Sequence, residues 1–251
     1  NTISSDNPKT IHISHEIITE VVNGTIDPKQ ELIPDGDNRT INYAPKDGYE
    51  LEKIEVDGAE VPITDNNKTS YSFDNIQSDH RIKVTYKGTP KVEDPTKTFD
   101  NNEYHKGDTV KNTIEASNKG VADSIAENVI ITDENKDGFS ILTDTVKAVI
   151  EGEHSTAPVV EKTENGFKVT VEKLYGGEKV KVTFDSVTTG VGESFTNTAK
   201  IVHNNKELEA SATARNVYKI TTEVVNGTID EGSTNIPNGT DKTINFAPKE
   251  G

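Results

Sequence analysis

Short runs in which apolar and polar residues alternate dominate the first third of the chain. Ile17, Thr19 and Val21 form one; Thr40–Tyr43, Leu51–Val56, Tyr71–Phe73 and Arg81–Tyr86 form four more. A period of two is that of a half-buried strand, and no window in this stretch has helical spacing. Asn23-Gly24 follows the first run as a favoured type I′ hairpin pair, Pro45 and Gly48 mark a turn, and Asp57-Gly58 closes the third run. About five short strands in roughly 70 residues predict a small all-β module.

The segment 88–95, GTPKVEDP, is proline-rich and acidic. It predicts a short, stiff linker, because proline fixes φ and favours extended backbone. From Thr96 a longer series begins: 109–117, 128–132, 145–151, 159–162, 167–172, 180–184, 194–203 and 208–214. Strands about 8–12 residues apart with Gly, Asn and Asp between them predict a β-sandwich of immunoglobulin-like type. Lys and Glu at its outward positions discourage edge-to-edge pairing. The fold class expected is therefore all-β, an Ig-like sandwich flanked by small β repeat modules. Its parts are an N-terminal segment 1–16 (the end of a preceding domain), a module 17–88, a linker 89–95, a sandwich 96–216 and a shortened second module 217–251.

Internal repetition defines that last part. Residues 17–48 align without gaps to residues 220–251 at an offset of 203, with about 20 of 32 positions identical. The second copy stops at Gly251, where the first runs on into Tyr49-Glu50-Leu51. One period of a longer array is expected. A start at Asn1-Thr2, with no Met and no signal peptide, leads us to expect a mature product or an excised piece.

Composition narrows the chemistry. Hydrophobic residues are 31% and aromatics 6%, so the cores must be thin and built on Val and Ile. With Lys+Arg 27 against Asp+Glu 43, the formal net charge of −16 repels phosphate backbones and anionic membrane surfaces; no nucleic-acid partner is expected. No apolar run approaches the roughly 18 residues of a membrane span. With Cys 0, disulfides, thiolate zinc sites and cysteine nucleophiles are impossible. Zero cysteine suits a bacterial surface protein better than a disulfide-stapled animal module. There is no G-x-S-x-G, no H-E-x-x-H and no phosphate-cradling glycine loop, so neither an enzyme nor a cofactor is expected.

Five pieces of the central region, in order, carry a resemblance: Pro95-Thr96-Lys97-Thr98, Lys106–Val110 leading to Glu115–Asn118, Val129–Asp133, Gly176–Val180 and Thr196–Ala199. Together they span about 105 residues, and the region resembles the Ig-like repeat domains of Gram-positive cell-wall-anchored adhesins and pilins. The flanking unit, with its Asn-Gly-Thr, Gly-Tyr-Glu-Leu and Val-Asp-Gly pieces, looks like the divergent internalin-type B repeats of similar proteins. Many such Ig-like domains carry an intramolecular isopeptide bond from a lysine on the first strand to an asparagine on the last, promoted by a buried acid. Position by position, the resemblance implies Lys97, Asn197 and Asp133. The residue types suit the reaction: an amine attacks only when neutral, and burial lowers a lysine pKa while raising that of an aspartate. One departure stands out. Asn112 occupies a position where the family usually has tyrosine, leaving Phe99 or Phe195 to supply the aromatic wall. The bland alternative is a solvated Lys97 and an Asn197 at a turn or strand edge.

A second pattern competes for the same aspartate. Asp133-Glu134-Asn135-Lys136-Asp137-Gly138, with Asp144 at loop position 12, matches a calcium loop, D-x-[DN]-x-[DN]-G. Position 12 is Asp rather than Glu, Ser140 sits where an apolar residue is normal, and strands flank it. The plainer reading is an acidic loop without metal. His12 and His15, three apart on a strand, would face opposite ways and share no metal. The Asn-x-Thr triplets at Asn23, Asn38, Asn67, Asn226 and Asn238 read as turn chemistry rather than glycan sites.

The function expected is a structural stalk or spacer of a bacterial cell-surface adhesin, extracellular and wall-anchored through regions outside these residues. It would be a monomer with neighbouring repeats of its own chain as partners. The alternative is an adhesive module that binds a host matrix protein or glycan itself; few aromatics and no Trp speak against a sugar platform.

Overall fold

The computed structural model describes residues 11–250; of the N-terminal segment expected at 1–16, residues 1–10 lie outside them, as does Gly251. Among the described residues every regular element is a strand, apart from two single 3₁₀ turns at Asp65–Asn67 and Thr143–Thr145. The chain is all-β. It divides into two units, residues 1–89 and 90–251.

The described residues of the first unit form eight strands: β1 (Ser14–Val22), β2 (Gly24–Asp27), β3 (Gln30–Pro34), β4 (Arg39–Pro45), β5 (Tyr49–Val56), β6 (Ala59–Val61), β7 (Ser70–Phe73) and β8 (His80–Gly88). They form one sheet in the order β3-β1-β8-β5-β6 and another in the order β2-β4-β7. β1 runs parallel to β8, with Ile17 opposite His80 and Val22 opposite Thr85. The alternation read from the sequence buries Ile17, Ile41, Tyr43, Ile54, Ile82, Val84 and Tyr86 in one core, which Ile33 of the unread β3 joins. Asn23-Gly24 is a correction. It makes no hairpin, since β1 and β2 belong to different sheets. Asn23 takes the left-handed φ (58°), and Gly24 is needed for space: a Cβ there would lie 2.4 Å from the Tyr86 ring and 2.6 Å from Ala44 O.

The second unit begins with β9 (Val92–Phe99), β10 (Glu103–Tyr104), β11 (Thr109–Asn118), β12 (Ile125–Glu134), β13 (Phe139–Ile141), β14 (Lys147–Glu151) and β15 (Val159–Thr163). It continues with β16 (Gly166–Tyr175), β17 (Lys179–Thr188), β18 (Ser194–His203), β19 (Lys206–Thr221), β20 (Gly227–Ile229), β21 (Ser233–Pro237) and β22 (Phe246–Pro248). One sheet reads β10-β19-β18-β12-β16-β15 and the other β13-β17-β11-β9, with β14 also on β17. Val110, Ile114, Val180, Val182 and Phe184 of the smaller sheet share a core with Val129, Ile131, Val169, Val171 and Ile201 of the larger. Residues 92–95, expected as linker, are strand: Val92 pairs with Asn118 and Glu93 with Ser117. Proline is tolerated there because β9 is an edge strand, and the register shifts between Glu115 and Ser117 beside it. β19 runs on without a break into the second copy of the repeat.

Candidate functional site

Three strands bring the expected residues into the sandwich interior. On β9 the inward positions include Lys97; on β12, Val129, Ile131 and Asp133; on β18, Phe195, Asn197, Ala199 and Ile201. Alternation alone fixes these facings once each strand is in register. β12 and β18 are antiparallel neighbours with Thr132 opposite Lys200, which carries Asn197 to the end of β12. β18 is followed by β19, so Asn197 sits on the strand before the last rather than on the last.

The side chains of Lys97 and Asp133 are wholly shielded from solvent. Lys97 Nζ donates to Asp133 Oδ2 and stands 4.8 Å from the centre of the Phe184 ring, which Phe167 meets edge-on. Asn197 is buried, and its Nδ2 donates to Glu134 O at 3.1 Å. Oδ1 of Asn197 and Oδ1 of Asp133 both lack hydrogen-bond partners. Burial pushes the Lys97 amine below its ordinary pKa, against the pull of Asp133. Burial likewise pushes Asp133 above the usual carboxylate range, against Lys97 and the neighbouring Asn197 amide. Both shifts run toward a neutral amine beside a carboxylic acid. A proton on Asp133 Oδ1 would also turn an orphaned acceptor into a donor.

The aromatic wall differs from expectation. Phe99 and Phe195 meet as a tilted pair at 5.5 Å and each stacks on Phe139 at 5.9 Å, while the ring against the Lys97 nitrogen is Phe184. Phe184 is the cross-strand partner of Asn112, so an aromatic returns from the neighbouring strand. Asn112 itself is buried and donates to Ser186 Oγ (2.9 Å) and Val110 O (3.0 Å). Phe184 could be assigned this role only with the pairing known.

The calcium pattern is not assembled. Asp133 faces the core, Asn135 Oδ1 accepts from Ile141 N at 2.7 Å, and Asp144 pairs with Lys162. Asp137, the remaining candidate, lies on the loop between β12 and β13. Among the described residues no three His, Cys, Asp or Glu side chains converge as a metal site. His15 pairs with Asp35 Oδ1 at 2.9 Å, and His12 is exposed before β1. Asn38, Asn67 and Asn238 bond to loop backbone, and Asn226, like Asn23, is left-handed.

A second buried carboxylate escaped sequence reasoning, although its motif, Gly176-Gly177-Glu178, is part of the resemblance. A Cβ on Gly176 would lie 1.8 Å from Val121 O, so only glycine fits there. Glu178 Oε1 accepts from the amides of Glu153 (2.9 Å) and His154 (2.8 Å); Oε2 accepts from Ser155 N (2.8 Å) and Ser155 Oγ (2.5 Å). Burial opposes ionisation, but the Ser155 and His154 donors outweigh it and hold the carboxyl down at about 2. The carboxylate latches the 152–155 loop to the β16–β17 turn.

No family model and no curated protein matches the chain. Among solved structures it is similar to the collagen-binding subdomain of the Enterococcus faecalis surface protein ACE, at 15% identity over 49% of this chain and 96% of that one, with a TM-score of 0.36. A form of BcpA, the major pilin subunit of Bacillus cereus, covers 84% of this chain and 72% of its own at 12% identity, TM-score 0.44. The collagen-binding domain of a Staphylococcus aureus adhesin covers 49% and 97% at 14% identity, TM-score 0.37.

Proposed function

We propose that this chain is a spacer segment of a bacterial cell-surface adhesin whose sandwich ties itself covalently through Lys97 and Asn197. The observation that carries the reading is the solvent-free pairing of Lys97 with Asp133 beside the Asn197 amide. The neutral Lys97 amine attacks Cγ of Asn197. Asp133, as the acid, gives its proton to the departing Nδ2 and takes back the one that the lysine nitrogen sheds, ending as it began. A new Nζ–Cγ amide forms, the Cγ–Nδ2 bond breaks, and ammonia leaves; no oxidant or cofactor is needed. The reaction runs once per molecule. The tie would close a loop of about 100 residues, worth roughly 4–5 kcal/mol if it acts on the unfolded chain as a disulfide does. Tension arriving through β9 would then cross to β18 directly, leaving the β18–β19 ladder as the element still loaded.

Intact mass decides the matter. The purified chain is expected about 17 Da light, one ammonia per bond, and Lys97→Ala is expected to restore the full mass of its sequence. A wild-type chain of undiminished mass would reject the tie.

The second reading, direct adhesion to a host matrix protein, shares its partner class with two of the similar structures, described as collagen-binding. Saturable binding to collagen that a surface substitution abolishes would favour it over the spacer.

A further inference from the structure

The end of β12 is held from two sides, and both contacts bear on the reacting amide. The β12–β18 ladder ends with Thr132 opposite Lys200. Two residues on, the Glu134 carbonyl meets a side chain instead of a strand and accepts from Asn197 Nδ2 at 3.1 Å. Across the other edge of β12, Glu134 pairs with Gly166 and Asp133 with Phe167.

The approach at Gly166 is very close. A Cβ there would lie 1.9 Å from Asp133 O and 2.9 Å from both Asp133 C and Glu134 Cα. The first distance falls short of van der Waals contact by more than about 1 Å, so any side chain would displace the Asp133–Glu134 peptide. The φ of Gly166 lies outside the left-handed region, so this glycine serves close packing and not a turn. Just beyond, Asn135 N donates to Asn165 O at 2.7 Å and pins the same stretch to the β15–β16 hairpin.

That peptide carries two groups the reaction needs. Its first residue supplies the acid, and its second supplies the carbonyl against the leaving nitrogen. As Lys97 Nζ adds to Cγ, Nδ2 turns pyramidal and must take a proton on its lone pair. One N–H fixed on Glu134 O sets the rotation about the Cγ–Nδ2 bond and so the direction of that lone pair. We infer that the Glu134 carbonyl holds the leaving nitrogen of Asn197, and that Gly166 is the positioning residue that lets it do so. Both roles rest on the reading of Lys97 and Asn197 as a tie. The carbonyl accepts a hydrogen bond and exchanges no proton; Asp133 supplies the one that leaves with ammonia.

The test follows intact mass in freshly synthesised wild type, Gly166→Ala and Gly176→Ala. Gly176, at the opposite end of β16, is the control: an added Cβ meets Val121 O at 1.8 Å, a clash of the same size. Wild type and Gly176→Ala are expected to become about 17 Da light at the same rate. Gly166→Ala is expected to lose ammonia at least about tenfold more slowly. In a Lys97→Ala background, where no tie adds stability, the two glycine variants are expected to melt alike. Equal slowing in both variants, or none in Gly166→Ala, would overturn the positioning role and leave the tie standing. A wild type of full mass would overturn the tie and these roles with it.

A second measurement needs no change at Gly166 and covers a variant that fails to fold. In Lys97→Ala, whose Asn197 keeps its amide, the Nδ2 protons are expected to exchange at least about tenfold more slowly than those of the exposed Asn165. Equal exchange at the two would overturn the hold by Glu134.

Discussion

Asp133 and Glu178 are carboxylates buried in the same sandwich, yet their acidities move in opposite directions. Glu178 collects backbone and hydroxyl donors on both oxygens and stays ionised. Asp133 meets Lys97 and the Asn197 amide in the interior, and burial dominates. Glu178 is also the shallower of the two, with 9% of its side chain exposed against none of Asp133, so lighter burial and more fixed donors act together. A carboxylate saturated with donors is a structural clamp, whereas one short of donors is available for proton transfer.

The largest effect should come from breaking the reactive side of that contrast. Asp133→Asn keeps the shape but removes the acid, so the ammonia deficit is expected to vanish from the intact mass. Thermal unfolding should then lose the stabilisation of the tie, about 4–5 kcal/mol on the loop-closure argument. An unchanged deficit in this variant would show that the acid is not needed.

Next comes the clamp. Glu178→Gln leaves several donors without a charged acceptor and is expected to cost about 2–3 kcal/mol in urea unfolding. The pH dependence sharpens this. Because the folded-state pKa, about 2, lies below the ordinary value of 4.5, the stabilisation is complete above pH 4.5 and lost as pH falls toward 2. The gap between wild type and Glu178→Gln should therefore close over that window. A gap that persisted at pH 2 would mean that the hydrogen-bond geometry matters and the charge does not.

The smallest effect belongs to pairs in water. Lys200 and Glu207 meet at 2.9 Å across the β18–β19 hairpin with both side chains about half exposed. Lys200→Ala is expected to leave the urea midpoint unmoved within measurement error.

How much of this was legible beforehand depends on what each feature needs. Strands that alternate cleanly, such as Ser194–His203, can be read directly, because each position signals its own face. Val92–Pro95 could not, since proline and acidic residues imitate a linker unless the edge position is known. Asn23-Gly24 misled because its glycine answers to a ring more than 60 residues away, not to a local turn. Lys97, Asp133 and Asn197 were named through a resemblance; their convergence depends on three registers that no single stretch encodes. Phe184 and Glu178 depend on pairing and on loop backbone, and composition carries no trace of either.

The uninterrupted β19 has a consequence for motion. Its 16 residues pair with β18 at one end and with β21 at the other. Such a joint offers no swivel. Twisting the distal half against the sandwich would apply torque to two hydrogen-bonded ladders at once, so the pair should tumble together as a lever, with its bearing fixed when the strand forms.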